Sequence, residues 1–233
     1  MTAYIVERGL ILEPYEVDCK TNEITALPVF IRQLAIRGLC SPLMLSVLKK
    51  TAQVIIETGN DYIGALKGNQ SGLLTAVESH FQPQESFKQL NKGHGRIEKS
   101  TVSLSLQLDK IPDFPGLKTL IRVQSERRVY RTGIVEVSHE TRYYVASFLD
   151  TAQAFAQHIR GYWGVENKVH YVRDVTQGED ASRIRTSPLI QIWAIARNLA
   201  LNLYRDHGFN NMAQAQRFAA ATLKTLLSLF RMK

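Results

Sequence analysis

Residues 101–108, TVSLSLQL, alternate polar and apolar side chains almost without a break, and that two-residue period fits a half-buried β-strand. The same style continues through LKTLIRVQSERRVY (117–130) and GIVEVSHETRYYVASFL (133–149), so 84–142 reads as antiparallel strands, ending in a strand at 142–149. Helical spacing frames this block on both sides. Upstream, residues 3–18 read as a β-hairpin turning near Gly9. From Pro28, Val29, Ile31, Leu34 and Ile36 fall on roughly one helical face, with Pro28 in the first turn and Gly38 at the end. KKTAQVIIETGN (49–60) predicts a second helix, DYIGALKG (61–68) a buried strand, and SGLLTAVESHF (71–81) another helix. A strand, helix, strand order implies a parallel crossover. Downstream, Ala154, Phe155, His158 and Ile159 restore the helical period, and amphipathic stretches follow near 188–205 and 211–231. The layout is an α/β part (1–83), a β-rich insertion (84–142) and a part with a helical end (143–233), without repeats or low-complexity segments.

The 233 residues are 45% apolar and 21% charged, enough for one large domain or two small ones. Two cysteines cannot build a disulfide scaffold, and Cys19 and Cys40 have no partner at metal-ligand spacing, which suits a reducing compartment. Glu7 and Arg8 interrupt the place of a secretory apolar core, and no uncharged stretch is long enough to span a bilayer. A cytoplasmic protein with no membrane partner is expected. The net charge of +8 suits either a polyanionic partner or a merely soluble surface. Three features stay open on the same terms. Arg127, Arg128 and Arg131 meet nucleic acid or solvent; His94, between glycines, is a loop residue or a ligand; LKTLLSLFRMK packs in a core or lies on a membrane.

No H-E-x-x-H, Walker loop, G-x-S-x-G or G-x-G-x-x-G occurs. The densest polar cluster is RGYWGVENKVHYVRDVTQGEDASRIR (160–185), where α-helical offsets place Trp163, Glu166, His170 and Arg173 on one face. A carboxylate between an aromatic and basic groups suits a metal and phosphate site; a solvated helix with charge pairs is the plainer alternative.

That block resembles the C-terminal catalytic segment of insertion-sequence DDE transposases related to the H-repeat-associated proteins, approximately R-G-x-W-G-I-E-N-K-x-H-W-x-x-D-V-x-x-x-E-D-x-S-R-I-R. Arg160, Gly161, Trp163, Gly164, Glu166, Asn167, Lys168, His170, Asp174, Val175, Glu179, Asp180, Ser182, Arg183 and Arg185 fit it. TNEITALP (21–28), GNDYIGALKGNQ (59–70), HGRIEK (94–99), PGLKTLIRVQSER (115–127) and ETRYYVASF (140–148) extend the resemblance over almost the whole chain. It implies a ribonuclease-H-like α/β core interrupted by a β insertion. In such a family two Asp and one Glu hold Mg²⁺ or Mn²⁺ for DNA cleavage and strand transfer, because paired dications need several anionic oxygens. Glu166 matches the catalytic, metal-binding glutamate. The DNA contacts that accompany it are Arg160, Trp163, Asn167, Lys168 and Arg173, with Lys67 from GNDYIGALKGNQ.

Two departures matter. The family's first Asp, in a D-G-K stretch on the central first strand, belongs upstream of MTAYIVERGL, so the resemblance implies an N-terminally truncated copy lacking that strand and prone to aggregation. The second Asp should follow Gly38 in V-F-x-x-D-A, but Leu43 and Met44 stand where Asp-Ala would fall. A coding strand for V-F-S-L-D-A-F-S-V, read one base later, yields C-S-P-L-M-L-S-V, which is residues 40–47. Residues 40–48 are therefore read as out-of-frame translation, with the frame restored near Lys49-Lys50. Pro42 is expected to break the ladder of a central parallel strand. Only one of three metal-binding carboxylates is recognisable, so metal binding and enzyme activity stay open for this copy. The expected function is that of a transposase-family protein in an inactive copy. The alternatives are a DNA-binding regulator of transposition, partnered by double-stranded DNA and by itself or full-length transposase, and a relic with no role.

Overall fold

The structure is a computed structural model that describes residues 4–5, 10–12, 23–34, 40–43, 49–93, 95–131, 134–186 and 188–230. Its strands are β1 (Tyr4–Ile5), β2 (Leu10–Ile11), β3 (Cys40–Leu43), β4 (Asp61–Ala65), β5 (Glu85–Gly93), β6 (Arg96–Ser105), β7 (Thr119–Arg131) and β8 (Ile134–Ala146). Its helices are α1 (Glu23–Leu34), α2 (Lys49–Glu57), α3 (Ser71–His80), α4 (Ala152–Val165), α5 (Leu189–Asp206), α6 (Met212–Ala221) and α7 (Leu223–Ser228). Two π-helical turns, Glu166–His170 and Val172–Thr176, follow α4. The chain divides into two compact units, Ile24–Arg160 and Met1–Glu23 with Gly161–Lys233.

In the first unit, six strands form one sheet in the order β3-β4-β8-β7-β6-β5. β3 and β4 run parallel across α2, as the strand, helix, strand order predicts, and every other neighbouring pair is antiparallel. β4 is buried on both faces, so it reads as an unbroken apolar run instead of alternating. One face carries Ile63, Val102, Leu104, Ile121 and Tyr144 and packs against α4 through Ala152, Phe155, Ala156 and Ile159. Those helical positions repeat at i, i+3, i+4 and i+7, which makes one apolar stripe. The opposite face offers Tyr62, Leu120 and Val145 to Ala52 and Ile55 of α2, Leu73 and Val77 of α3, and Phe114. Helices therefore cover both faces of the inner sheet.

The turn before β7 fixes a corner of this core. Leu117 N donates to the Phe114 carbonyl at 3.1 Å, with Pro115 and Gly116 between them. Gly116 sits at φ 68°, and a Cβ there would lie 2.6 Å from the Ile56 side chain. Tyr62 reaches the same turn, its hydroxyl donating to the Pro115 carbonyl at 2.6 Å, and burial pushes the phenol pKa upward.

Four differences from the sequence expectations have physical causes. Pro42 was expected to break the strand ladder; among the described residues β3 pairs on one side, with β4, and that register runs unbroken from Cys40↔Asp61 to Leu43↔Gly64, as it can where a proline's missing N–H faces away from the paired neighbour. Helix α1 starts at Glu23, so Pro28 lies inside it: Leu27, Phe30, Ile31 and Leu34 extend the apolar stripe upstream, outweighing the one backbone bond Pro28 removes. The strand expected at 142–149 is the end of one longer strand, β8, held along its whole length by β7. The 211–231 stretch is two helices, because the Thr222 side chain and Thr225 form a capping box that starts α7 afresh.

The second unit pairs β1 with β2 in register Tyr4↔Ile11, the predicted hairpin, whose turn at Gly9 lies outside the described residues. Ile11, Val169, Val172, Leu201, Tyr204, Ala215, Ala219 and Leu229 form its core. No helix among the described residues is long and apolar enough to cross a membrane. His94 also lies outside the described residues.

Candidate functional site

The polar block at 160–185 begins on α4 and passes into the two π-helical turns, the first of which starts at Glu166. Gly161 and Gly164 weaken the preceding α-helix. Val169 and Val172 then anchor the backbone in the apolar core, and Gln177 N reaches the Val172 carbonyl at 3.0 Å, five residues back. Such wide turns are rare and often lie at functional sites. They also undo the single face expected from α-helical offsets: His170 is exposed, while the Arg173 side chain is only 12% exposed.

Arg173 and Glu179 form the strongest polar contact of this segment. Nε and Nη2 of Arg173 donate to the two carboxylate oxygens of Glu179 at 2.5 and 2.6 Å, a fork-on-fork pair. Arg197 on α5 approaches the same carboxylate at 3.9 Å, and Glu179 N donates to the Arg173 carbonyl. Burial raises the carboxyl pKa of Asp174, and the neighbouring Asp180 and Glu179 charges push it further, against His170 and Arg173. Of the acids downstream of Glu166, Glu179 is thus the one held by arginines. Lys168 is exposed, and Arg205 donates to its carbonyl. Of Glu166, Asn167 and Trp163 the backbone alone is described.

Arg160 and Lys67 belong to the other unit. Arg160 ends the α4 portion of that unit and donates from Nη1 to Asn91 Oδ1 of β5. Lys67 is exposed just after β4, at the start of a short 3-10 turn.

Two further groups escaped the sequence search. Asn202 of α5 grips β2 with its whole amide: Ile11 N donates to Oδ1 and Nδ2 donates to the Ile11 carbonyl, both at 2.8 Å. Arg197 stacks 5.9 Å from the Trp193 ring as well as facing Glu179. An amide spaced among apolar residues of α5 was the available signal for the first; nothing local marked the second.

Residues 5–203 match the family described as the transposase DDE domain. The chain belongs to that family. Among relatives of the DDE transposase-family chain, YbfL of Escherichia coli K12 is 33% identical over 87% of this chain and 57% of its own length. The H repeat-associated YhhI of the same strain is 32% identical over 87% of this chain and 57% of its own. YncI of Escherichia coli O157:H7 is 33% identical over 88% and 56%. The last two carry the word transposase in their names. This DDE transposase-family chain spans just over half the length of these relatives.

A divalent-metal centre needs converging oxygen donors. β3, where the family resemblance calls for Asp, carries Cys40, Ser41, Pro42 and Leu43, with Leu43 opposite Gly64. Glu179 is held by two arginines. Among the described residues no three His, Cys, Asp or Glu side chains group as metal ligands. Among the described side chains no donor set for a two-metal site is assembled.

Proposed function

We propose that this DDE transposase-family chain acts on transposon DNA by binding the duplex without cutting it, as a non-cleaving regulator of transposition in place of an active nuclease. One observation carries this reading: the strand parallel to β4 presents no carboxylate, and Leu43 occupies the place that the resemblance gives to the second Asp. Metal-dependent phosphodiester cleavage needs several anionic ligands to hold paired dications, and Glu166 by itself cannot replace the set. Binding places no such demand, because it rests on cations released against phosphate counterions, and the net charge of +8 supplies them. The DNA contacts proposed for the glutamate segment are Trp163, Asn167 and Lys168, with Arg160 and Lys67 in the other unit. Arg173 acts as a positioning residue through Glu179, and Glu166 keeps the family's place in a chain whose β3 carries Leu43 where the resemblance calls for the second Asp.

Fluorescence anisotropy of a labelled duplex against salt, in EDTA, tests the binding half of this reading. Complex formation without metal, weakening steeply as salt rises, is expected; no complex at low salt refutes the reading and leaves the chain a relic. The out-of-frame origin of residues 40–48 supports the same reading and is checked by sequencing the locus. Codons encoding V-F-x-x-D-A one base away from codons 40–48 are expected, and their absence ends that explanation.

A further inference from the structure

Within this unit the apolar core ends before the outer half of the β5-β6-β7-β8 array, and the two faces of that half differ in charge. Register decides which side chains share a face, since paired residues lie on the same side and neighbours along a strand on opposite sides. The face that continues the α4 side carries Arg96, Arg127, Arg131 and Arg142 against Glu98, Glu136 and Glu140, a nearly balanced set. Arg127 stands directly opposite Glu98, and Arg142 donates to Glu140 at 2.6 Å. The other face carries Lys88, Lys92, Lys99 and Arg128 against Glu126 alone, with His139 beside it. Arg128 hydrogen-bonds Glu126 at 2.6 Å and holds its carboxyl pKa down. Among the described residues no carboxylate comes within ion-pair distance of Lys88, Lys92 or Lys99, and all three are exposed. The arginine run read from the sequence is therefore split by the pleat: Arg127 and Arg131 belong to the nearly balanced face and Arg128 to the cationic one.

The cationic face is a built surface. Row by row it reads Lys88, Thr101, Gln124, Thr141; then Leu90, Lys99, Glu126, His139; then Lys92, Ile97, Arg128, Val137. A shallow basin of about 590 Å³ lies over the first two rows, lined by Lys88, Leu90, Lys99, Glu126, His139 and Thr141. Hydroxyl and amide groups stand between the lysines, as phosphate contacts require. Four strands at ~4.8 Å spacing make a surface about 14 Å across, wider than a major groove of about 12 Å, so this face lies over the backbone and does not enter the groove.

We infer that the Lys88, Lys92, Lys99 face of the β5-β6-β7-β8 sheet is a DNA-docking surface, separate from the glutamate-bearing segment, that binds the phosphate backbone of a duplex with little sequence preference. The inference rests on the reading that duplex DNA is the partner, and adds where the insertion grips it. The test uses the full chain, a mixed-sequence duplex and EDTA, comparing Lys88→Gln/Lys92→Gln/Lys99→Gln with the charge-matched Arg96→Gln/Arg127→Gln/Arg142→Gln of the nearly balanced face. The lysine variant should bind roughly tenfold or more weakly, with the slope of log affinity against log salt reduced by about one for each lysine, while the arginine variant stays near the parent. Equal losses from both variants, or none from the lysine variant, overturn the inference. A lysine variant that keeps its DNA affinity but loses association with a second copy also overturns it, assigning the face to protein contact. Failure of the parent chain to bind any duplex sinks the underlying reading instead, and the inference with it. Acetylation footprinting of the parent chain is a readout that needs no variant to fold: duplex should shield Lys88, Lys92 and Lys99 and leave Lys110 reactive, and uniform reactivity contradicts the proposal.

Discussion

At Gly116 a single hydrogen atom decides whether the corner of the core closes. The residue is in the left-handed region, and a Cβ would stand 2.6 Å from Ile56, inside any tolerable contact. Gly116→Ala is therefore expected to cost about 1–3 kcal/mol, read as a drop in thermal midpoint, with an unchanged midpoint contradicting the packing described here. Asp174 makes a pH-dependent prediction. Its carboxyl pKa is raised by burial and then by Asp180 and Glu179, so the folded state holds the proton more tightly than the unfolded one. That contribution favours folding below the ordinary carboxylate range and is lost as pH rises through the raised value. Asp174→Asn should accordingly raise the thermal midpoint at neutral pH and lose its advantage in acid; a variant less stable at neutral pH would show that Asp174 makes a bond stronger than its burial penalty. Both residues stand inside motifs legible in the sequence, PGLKTLIRVQSER and the 160–185 block. Their reasons for being there, a clash with Ile56 and a cluster of acids, depend on groups brought together by folding.

Elements were legible where one period governed a whole segment. The alternation at 101–108 marked the end of β6, whose strand stops at Ser105; the period through Ala154, Phe155, His158 and Ile159 marked α4; and the strand that became β3 came from the family resemblance. Errors came where tertiary packing or a side chain overrode the period: Pro28 inside α1, the break at Thr222, and the π-helical turns, whose five-residue bonds no α-helical offset anticipates. Because the turns carry Glu166, α-helical offsets do not give the spacing of the residues around it. Long-range contacts were equally hidden, and the clamp of Asn202 on Ile11 is one of them. Asn202→Ala removes two partly buried hydrogen bonds and leaves the Ile11 amide without its partner, an expected loss of about 1–3 kcal/mol. Hydrogen exchange at the Ile11 amide checks it: faster exchange is predicted, and unchanged protection would mean that the amide clamp does not hold β2.

On the scale of the whole molecule, the chain combines family membership, a net charge of +8 and a β3 strand that carries no carboxylate. Charge-driven binding and metal-driven cleavage make demands on different residues, so the proposed function separates the two. That separation is the centre of the account, and a nicking assay tests it most directly. Supercoiled plasmid bearing the element's flanking DNA is incubated with the parent chain and with Glu166→Gln, each in EDTA, Mg²⁺ and Mn²⁺, while complex formation is followed on the same DNA. The account predicts complexes in every condition and no nicking above background by either protein. Metal-dependent nicking by the parent chain that disappears in Glu166→Gln would contradict it, showing that a cleavage centre assembles around Glu166 despite Leu43.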